Sequence, residues 1–295
     1  MKVGLLSPGD MGQAVGETLA RNGATVFTAL EGRSERTRAL ATDAGFEDLG
    51  TLDAVTDAAD IVLSIVVPAA APTLAASLAM SISEGARTVV VDCNAVAPAT
   101  VRTMAEAFSE RRLSFVDASI VGPPPRGGAT PRIYASGPQA GDVAELGRYG
   151  LDVRVLDAPI GGASALKMSY AAITKGTTAL ATQLLISAWR NGVHGPLLEE
   201  FAGSLPDLLR FMEVRLPLMP MKSRRWVAEM EEISAAFEEA GIPGGSFLGI
   251  ADLYRFVGEN ALADETPESR DRDRDLEAVV CALAAQAEQR GSSRP

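Results

Sequence analysis

The sequence predicts an α/β fold, an N-terminal doubly wound parallel sheet followed by an all-α C-terminal domain. Three observations carry that prediction. Short apolar runs alternate with helical stretches from residue 2 to about residue 155, the pattern of a mostly parallel sheet with helices on both faces. The run Asp60-Ile61-Val62-Leu63-Ser64-Ile65-Val66-Val67 is nearly continuous, as a strand covered on both sides must be. From residue 162 to 191 the pattern changes to a long Ala, Leu, Ile and Thr stretch in which only Lys167, Lys175 and Arg190 are charged. A stretch that apolar reads as the buried spine of a second domain.

A first short strand is predicted from almost residue 1 up to the turn at Ser7, and a helix over 13–22, where Val15, Leu19 and Ala20 fall at helical spacing. Residues 23–30 give a second strand, and 34–44 a helix capped by Ser34 and ended near Gly45. Strands over 60–67, 88–92 and 113–120 alternate with helices over 71–81 and 99–111. Residues 122–128, Gly-Pro-Pro-Pro-Arg-Gly-Gly, are a stiff loop. Two closing strands, 132–137 and 153–156, flank a helix near 141–149. Helices over 197–211, 223–240 and 250–261 surround the spine. The charged stretch 264–275 reads as a solvated linker, ahead of an amphipathic helix to residue 289. The expected division is a sheet domain over 1–160, a helical domain over 161–290 and a disordered tail over 291–295.

Bulk properties narrow the function. At 295 residues, with 47% hydrophobic and 22% charged residues, the chain is of globular composition with room for two cores. A net charge of −11 argues against nucleic acid or an anionic membrane surface as partner. Cys93 and Cys281 are too few for a disulfide framework, and no metal cluster is expected. Asp60, Pro68 and Pro72 interrupt the apolar region 58–79, so no spanning helix is expected there. The chain opens directly on a strand, and a cytoplasmic protein is expected.

The chemistry-bearing stretch is Gly4-Leu5-Leu6-Ser7-Pro8-Gly9-Asp10-Met11-Gly12, a strand breaking in a glycine turn ahead of a helix. That context suits a dinucleotide. Gly9 lets a pyrophosphate approach the backbone, Gly12 lets the helix pack close, and the helix N-terminus faces the phosphates. Ser7 stands where G-x-G-x-x-G has its first glycine. After the second strand come Glu31, Arg33 and Ser34, where the adenosine ribose should sit. Arg33 and Ser34 suit the 2′-phosphate of NADP, whereas Glu31 suits the ribose hydroxyls of NAD. The loops holding Val67 and Pro68, Asn94, and Ser119-Ile120-Val121-Gly122 open on the same sheet edge.

Four segments in order resemble the β-hydroxyacid dehydrogenase superfamily, which includes 3-hydroxyisobutyrate and 6-phosphogluconate dehydrogenases. They are the cofactor turn with its Met11-Gly12, Val91-Asp92-Cys93-Asn94 with Pro98, Phe115-Val116-Asp117-Ala118-Ser119-Ile120-Val121-Gly122, and Gly161-Gly162-Ala163-Ser164-Ala165-Leu166-Lys167. Residues 28–34, 165–172 and 225–230 are similar to a subgroup of phosphogluconate-dehydrogenase-like proteins with a short C-terminal helical domain. The resemblance implies a Rossmann-type first domain and a cofactor turn that uses Ser7, Pro8, Gly9, Asp10, Met11 and Gly12. It also implies Asn94 under the nicotinamide ribose and Ser119, Ile120, Val121 and Gly122 around the substrate. Lys167 then carries the acid–base step, because desolvation in a dry cleft lowers a lysine toward neutrality. Arg33-Ser34 replaces the family's Asn-Arg-Ser/Thr, so NADP is the expected cofactor and NAD the alternative.

Two departures stand beside the lysine. Ala171 replaces the family's asparagine, and Val121-Gly122-Pro123 replaces its Ser-Gly-Gly. Both remove donors to a small hydroxyacid. Tyr170 and Thr174, three and seven residues past Lys167, share its helix face and are the candidates to compensate. With Ser119 they complete the expected catalytic and substrate residues. The expected function is hydride transfer between nicotinamide and a hydroxyl or carbonyl small molecule, expected to be anionic, in a homodimer. The alternatives are imine reduction and a non-catalytic nucleotide-binding scaffold. His194 is expected in a loop, and Arg224-Arg225-Trp226 as a helix start with its Trp buried.

Overall fold

The computed structural model describes residues 1–6 and 8–292. By backbone proximity the chain falls into two compact units, Met1–Ser169 and Tyr170–Pro295. The first holds β1 (Lys2–Leu6), α1 (Asp10–Arg21), β2 (Thr25–Thr28), α2 (Glu35–Asp43), β3 (Glu47–Asp48), α3 (Leu52–Ala58), β4 (Ile61–Ser64) and α4 (Ala71–Ser81). It continues through β5 (Val89–Asp92), α5 (Pro98–Ser109), β6 (Ser114–Val121), β7 (Arg132–Ser136), α6 (Ala140–Val143) and β8 (Asp152–Val155). The strands form one sheet in the order β3-β2-β1-β4-β5-β6-β7-β8, as the predicted doubly wound fold requires. Among the described residues, only the β6–β7 pair is antiparallel.

Both faces of the sheet are covered, which is why its strands read as unbroken apolar runs. Val3, Leu5, Ile61, Leu63, Val91 and Val116 pack with Val15 and Leu19 of α1. Their neighbours Leu6, Val62, Val90 and Phe115 pack on the opposite face with Val55, Leu78 and Phe108 from α3, α4 and α5. Alternate side chains of one strand thus enter two cores. Gly16 keeps α1 close: a Cβ there would lie 2.2 Å from Phe46.

The periodicity misses β3 and α3, which are two and seven residues long. Both are too short to show a period, although Thr51 caps α3 by accepting from Ala54 N at 3.3 Å. The helix expected near 141–149 is α6 followed by a 3₁₀ segment, Ala144–Tyr149.

The long helix α7, Gly162–Arg190, starts in the first unit and runs into the second. There follow α8 (His194–Ser204), α9 (Pro206–Arg215), α10 (Pro220–Glu239), α11 (Gly245–Gly258) and α12 (Leu276–Ser292). The single helix expected over 197–211 is broken at Leu205-Pro206. Leu205 takes φ −138° and ψ 51°, because the proline ring disfavours helical backbone in the residue before it. The spine is less buried than its composition suggests: Ile173 and Leu180 are 66% and 62% exposed. His194 does not lie in a loop but opens α8, buried edge-on against Trp189 at 5.0 Å. Trp226 is buried as expected. Arg274 and Glu265 pair within the charged stretch, and the guanidinium holds the carboxyl below its usual range. Among the described residues, no helix is long and apolar enough to cross a membrane. Of the expected tail, Gly291 and Ser292 are helical and residues 293–295 lie outside the described residues.

Candidate active site

The predicted cofactor residues fall at the carboxyl ends of four neighbouring parallel strands. Ser7 lies outside the described residues. Pro8, Gly9, Asp10, Met11 and Gly12 follow β1, while Glu31, Arg33 and Ser34 follow β2. Val67 and Pro68 follow β4, and Asn94 follows β5. β6, ending in Ser119, Ile120 and Val121, is next in the row. The crossover connections place all these ends on one edge, which brings together residues up to 115 positions apart in the chain.

α1 begins one turn earlier than its apolar period suggests. Its N-cap, Gly9, is extended and offers no side-chain acceptor, and the first helical bond is Gln13 N to Gly9 O at 2.8 Å. The N–H groups of Asp10, Met11 and Gly12 therefore have no acceptor within the helix and point off its N-terminus. Across this turn lies Arg126, which donates to Asp10 Oδ1 at 2.5 Å, Asp10 O at 3.2 Å and Gln13 Oε1.

In the segment after β2, Ser34 caps α2 by accepting from Thr37 N at 3.3 Å. Arg38 donates to Leu30 O at 2.5 Å and Arg33 O at 3.3 Å, clamping the loop that carries Glu31 and Arg33, both exposed. Asn94 is buried, and its amide is spent on the protein itself. Oδ1 accepts from Val66 N at 2.6 Å, while Nδ2 donates to Ser64 Oγ at 2.9 Å and Asp92 Oδ1 at 2.5 Å. It thereby holds the loop before Val67 and Pro68. Asp92 is buried as well, and desolvation raises its carboxyl from 3.8 to about 7 against the Asn94 hydrogen bonds that lower it.

Asp117 lies opposite Asp92 on β6. Its Oδ2 accepts from Ser136 Oγ at 2.9 Å, Gly161 N at 2.9 Å and Ser164 N at 3.1 Å, and its Oδ1 accepts from Ser164 Oγ at 2.7 Å. Gly161, at φ +103°, turns the chain so that its N–H reaches the carboxylate, a conformation that suits glycine. The start of α7 is thus fastened to β6. One turn on, Lys167 Nζ donates to Ile120 O at 2.6 Å. Ser119 Oγ, on the residue before, is buried with no hydrogen-bond partner among the described residues.

Tyr170 and Thr174 continue along α7 in the second unit. Tyr170 is exposed, and the Thr174 hydroxyl turns back to Tyr170 O at 2.9 Å. A cavity of about 730 Å³ between α5 and the segment after β8, lined by Arg102, Leu156 and Ile160, holds none of the predicted residues. Sequence reasoning missed Arg126, Arg38 and the anchoring roles of Asp92 and Asp117. Two acidic residues inside apolar strands were the available signal, because a buried carboxylate needs donors.

Known proteins resemble the chain in the same places. A family profile described as the NAD binding domain of 6-phosphogluconate dehydrogenase matches residues 2–147, and a domain of unknown function, DUF1932, matches 188–257. The conserved protein MTH1747, of unknown function and structurally similar to 3-hydroxyacid dehydrogenases, is 31% identical. That match covers 87% of this chain and 98% of the other, with a TM-score of 0.67. The chain belongs to the β-hydroxyacid dehydrogenase superfamily. A conserved protein from Sinorhizobium meliloti is 27% identical over 97% of this chain and 96% of its own, with a TM-score of 0.70. A 3-hydroxyisobutyrate dehydrogenase from Mycobacterium tuberculosis shares the fold at 14% identity, covering 96% of this chain and 98% of its own, with a TM-score of 0.67.

Membership makes this a nicotinamide-binding oxidoreductase of the dehydrogenase and reductase kind. The residues present fit such a cofactor. An uncapped helix N-terminus with three outward N–H groups, entered through a glycine, is the environment an anionic pyrophosphate requires. Lys167 stands in the second turn of the long helix α7.

Proposed function

We propose that this dehydrogenase-family protein is an NADP-dependent enzyme. It would transfer hydride between the nicotinamide and a hydroxyl- or carbonyl-bearing small anion, with Lys167 as general acid/base. The observation that carries the reading is the 2.6 Å hydrogen bond from Lys167 Nζ to Ile120 O. It fixes the ammonium at the carboxyl end of β6, beside the row of strand ends that bears the cofactor residues. The nicotinamide, when bound, supplies or accepts the hydride. Lys167 supplies the proton to a carbonyl oxygen, or removes it from a hydroxyl in the reverse direction. An ammonium has three donors, so one can stay on Ile120 while another meets the substrate oxygen.

Ser119, Val121 and Gly122 at the end of β6 would border the substrate, and Tyr170 and Thr174 are the substrate residues proposed from α7. Ala171 and Val121 stand where the resemblance places an asparagine and a serine, which disfavours 3-hydroxyisobutyrate itself as the substrate. Arg33 and Ser34 at the start of α2 favour NADP, since a guanidinium matches a 2′-phosphate in a planar, two-pronged way. Glu31 is the feature that favours NAD. The exposed apolar positions Tyr170, Ile173 and Leu180 of α7 support a homodimer.

A second reading, reduction of a C=N bond, draws on Ala171, whose methyl replaces the amide a hydroxyacid would use. Fluorescence titration with NADPH and NADH is the first test. Arg33→Ala should weaken NADPH far more than NADH, and equal losses would remove the NADP assignment. Ketone and imine panels then separate the two chemistries. Lys167→Ala should lower kcat by roughly 10²–10⁴ while leaving NADPH affinity unchanged. Binding of neither nucleotide would remove the dehydrogenase reading.

A further inference from the structure

We propose that Arg126 grips the pyrophosphate of the dinucleotide, as a strap thrown from the loop after β6 across the first turn of α1. The proposal rests on nicotinamide-dinucleotide binding at that turn. Arg126 is the only charged residue among 122–131. The loop is built to project it. Three prolines stiffen its approach, and Arg126 N donates to Pro124 O at 2.8 Å while Ala129 N donates to Arg126 O at 3.1 Å. Gly122, Gly127 and Gly128 adopt φ of +133°, +59° and +85°, folding the backbone back on either side.

The guanidinium lies beside the first turn of α1, whose leading N–H groups point off the helix N-terminus. It donates to Asp10 Oδ1 and Asp10 O, and to Gln13 Oε1 on the next turn. With five N–H donors against those three acceptors, the fork retains capacity for phosphoryl oxygens. Its side chain is 42% exposed and that of Asp10 38%, so a ligand at the turn reaches both. The pair also resolves a conflict in the sequence. Asp10 favours the helix N-terminus but repels a phosphate, and Arg126, paired with it, offsets that charge beside the turn. Since the pyrophosphate is common to NADP and NAD, Arg126 serves both, in contrast to Arg33.

Nucleotide titrations of the full chain, with circular dichroism to verify folding, test this. Arg126→Ala should weaken NADPH and NADH by the same factor, roughly tenfold or more. Arg126→Lys should recover part of the loss, and Asp10→Asn should tighten both nucleotides by releasing the guanidinium. The double variant Asp10→Asn/Arg126→Ala separates direct contact from neutralisation. Weak binding persisting in it supports the grip, whereas return to wild-type affinity shows that Arg126 only cancels Asp10 and overturns it. Unchanged nucleotide affinities with a raised KM for an anionic carbonyl substrate would move Arg126 to the substrate and also overturn the proposal. A wild-type chain that binds neither nucleotide removes the cofactor reading and this one together, an outcome distinct from a variant that loses nothing.

Discussion

Ser164 is bonded twice to Asp117, through its hydroxyl to one carboxylate oxygen at 2.7 Å and through its backbone N–H to the other at 3.1 Å. This double contact makes a strand residue the N-terminal anchor of α7, three positions before Lys167. Asp117→Ala would strip an acceptor from four donors, those on Ser136 and Gly161 as well as the two on Ser164. Buried donors left without partners make that cost about 3–5 kcal/mol. Asp117→Asn keeps one acceptor oxygen and should lose less. Urea midpoints measure both; losses below about 1 kcal/mol would show that the anchor is dispensable.

Asp92 sets a pH dependence. Burial raises its carboxyl from the ordinary 3.8 to about 7. Between those two values the folded chain retains a proton that the unfolded chain has released. Stability from this group is therefore greatest below pH 4 and falls as pH rises toward 7, by at most about 1.4 kcal/mol per pH unit. Asp92→Asn imitates the neutral form and should flatten the profile. Thermal midpoints taken from pH 4.5 to 8 would expose the difference, and parallel profiles would contradict it.

These two carboxylates mark the limit of what the chain shows of itself. The glycine turn and the strand ends that carry the proposed cofactor residues were legible, because parallel topology alone sends those ends to one edge. Lys167 was legible as a charge near the start of an otherwise apolar helix. Arg126 was not, since its partners are 113 and 116 positions away and leave no local period. Asn94 was read as a ligand contact, yet a buried amide between Ser64, Val66 and Asp92 is first a brace for its own loop. Residue type showed where polar groups would gather, while their partners depended on contacts between distant elements.

Adjacent glycines at the start of α11 give a matched pair. A Cβ on Gly244 would lie 2.4 Å from the backbone oxygen of Ser234 in α10, whereas one on Gly245 meets nothing within 4 Å. Gly244→Ala must push two packed helices apart and should cost about 1–3 kcal/mol. Gly245→Ala should be neutral or stabilise by up to about 1 kcal/mol, since alanine favours helix. Chemical denaturation of both variants checks the spacing, and equal effects would refute it.

Within the second unit, Glu229 of α10 is enclosed by cations. It pairs with Lys175 of α7 and with Arg225, whose Nε lies 3.2 Å away. Lys175 in turn lies 5.5 Å from the centre of the Trp226 ring, and Tyr254 donates to its carbonyl at 2.7 Å. Removing one partner from a buried pair strands the other charge, so Glu229→Ala should cost about 3–5 kcal/mol. Replacing Lys175 and Glu229 together by methionine removes both desolvation penalties, and that double variant should be destabilised by less than the sum of the two singles. A double-mutant cycle should give a coupling of roughly 1–3 kcal/mol, little changed by added salt because the pair is shielded from solvent. Additive losses would instead assign the stabilisation to packing of the long alkyl chains against Trp226.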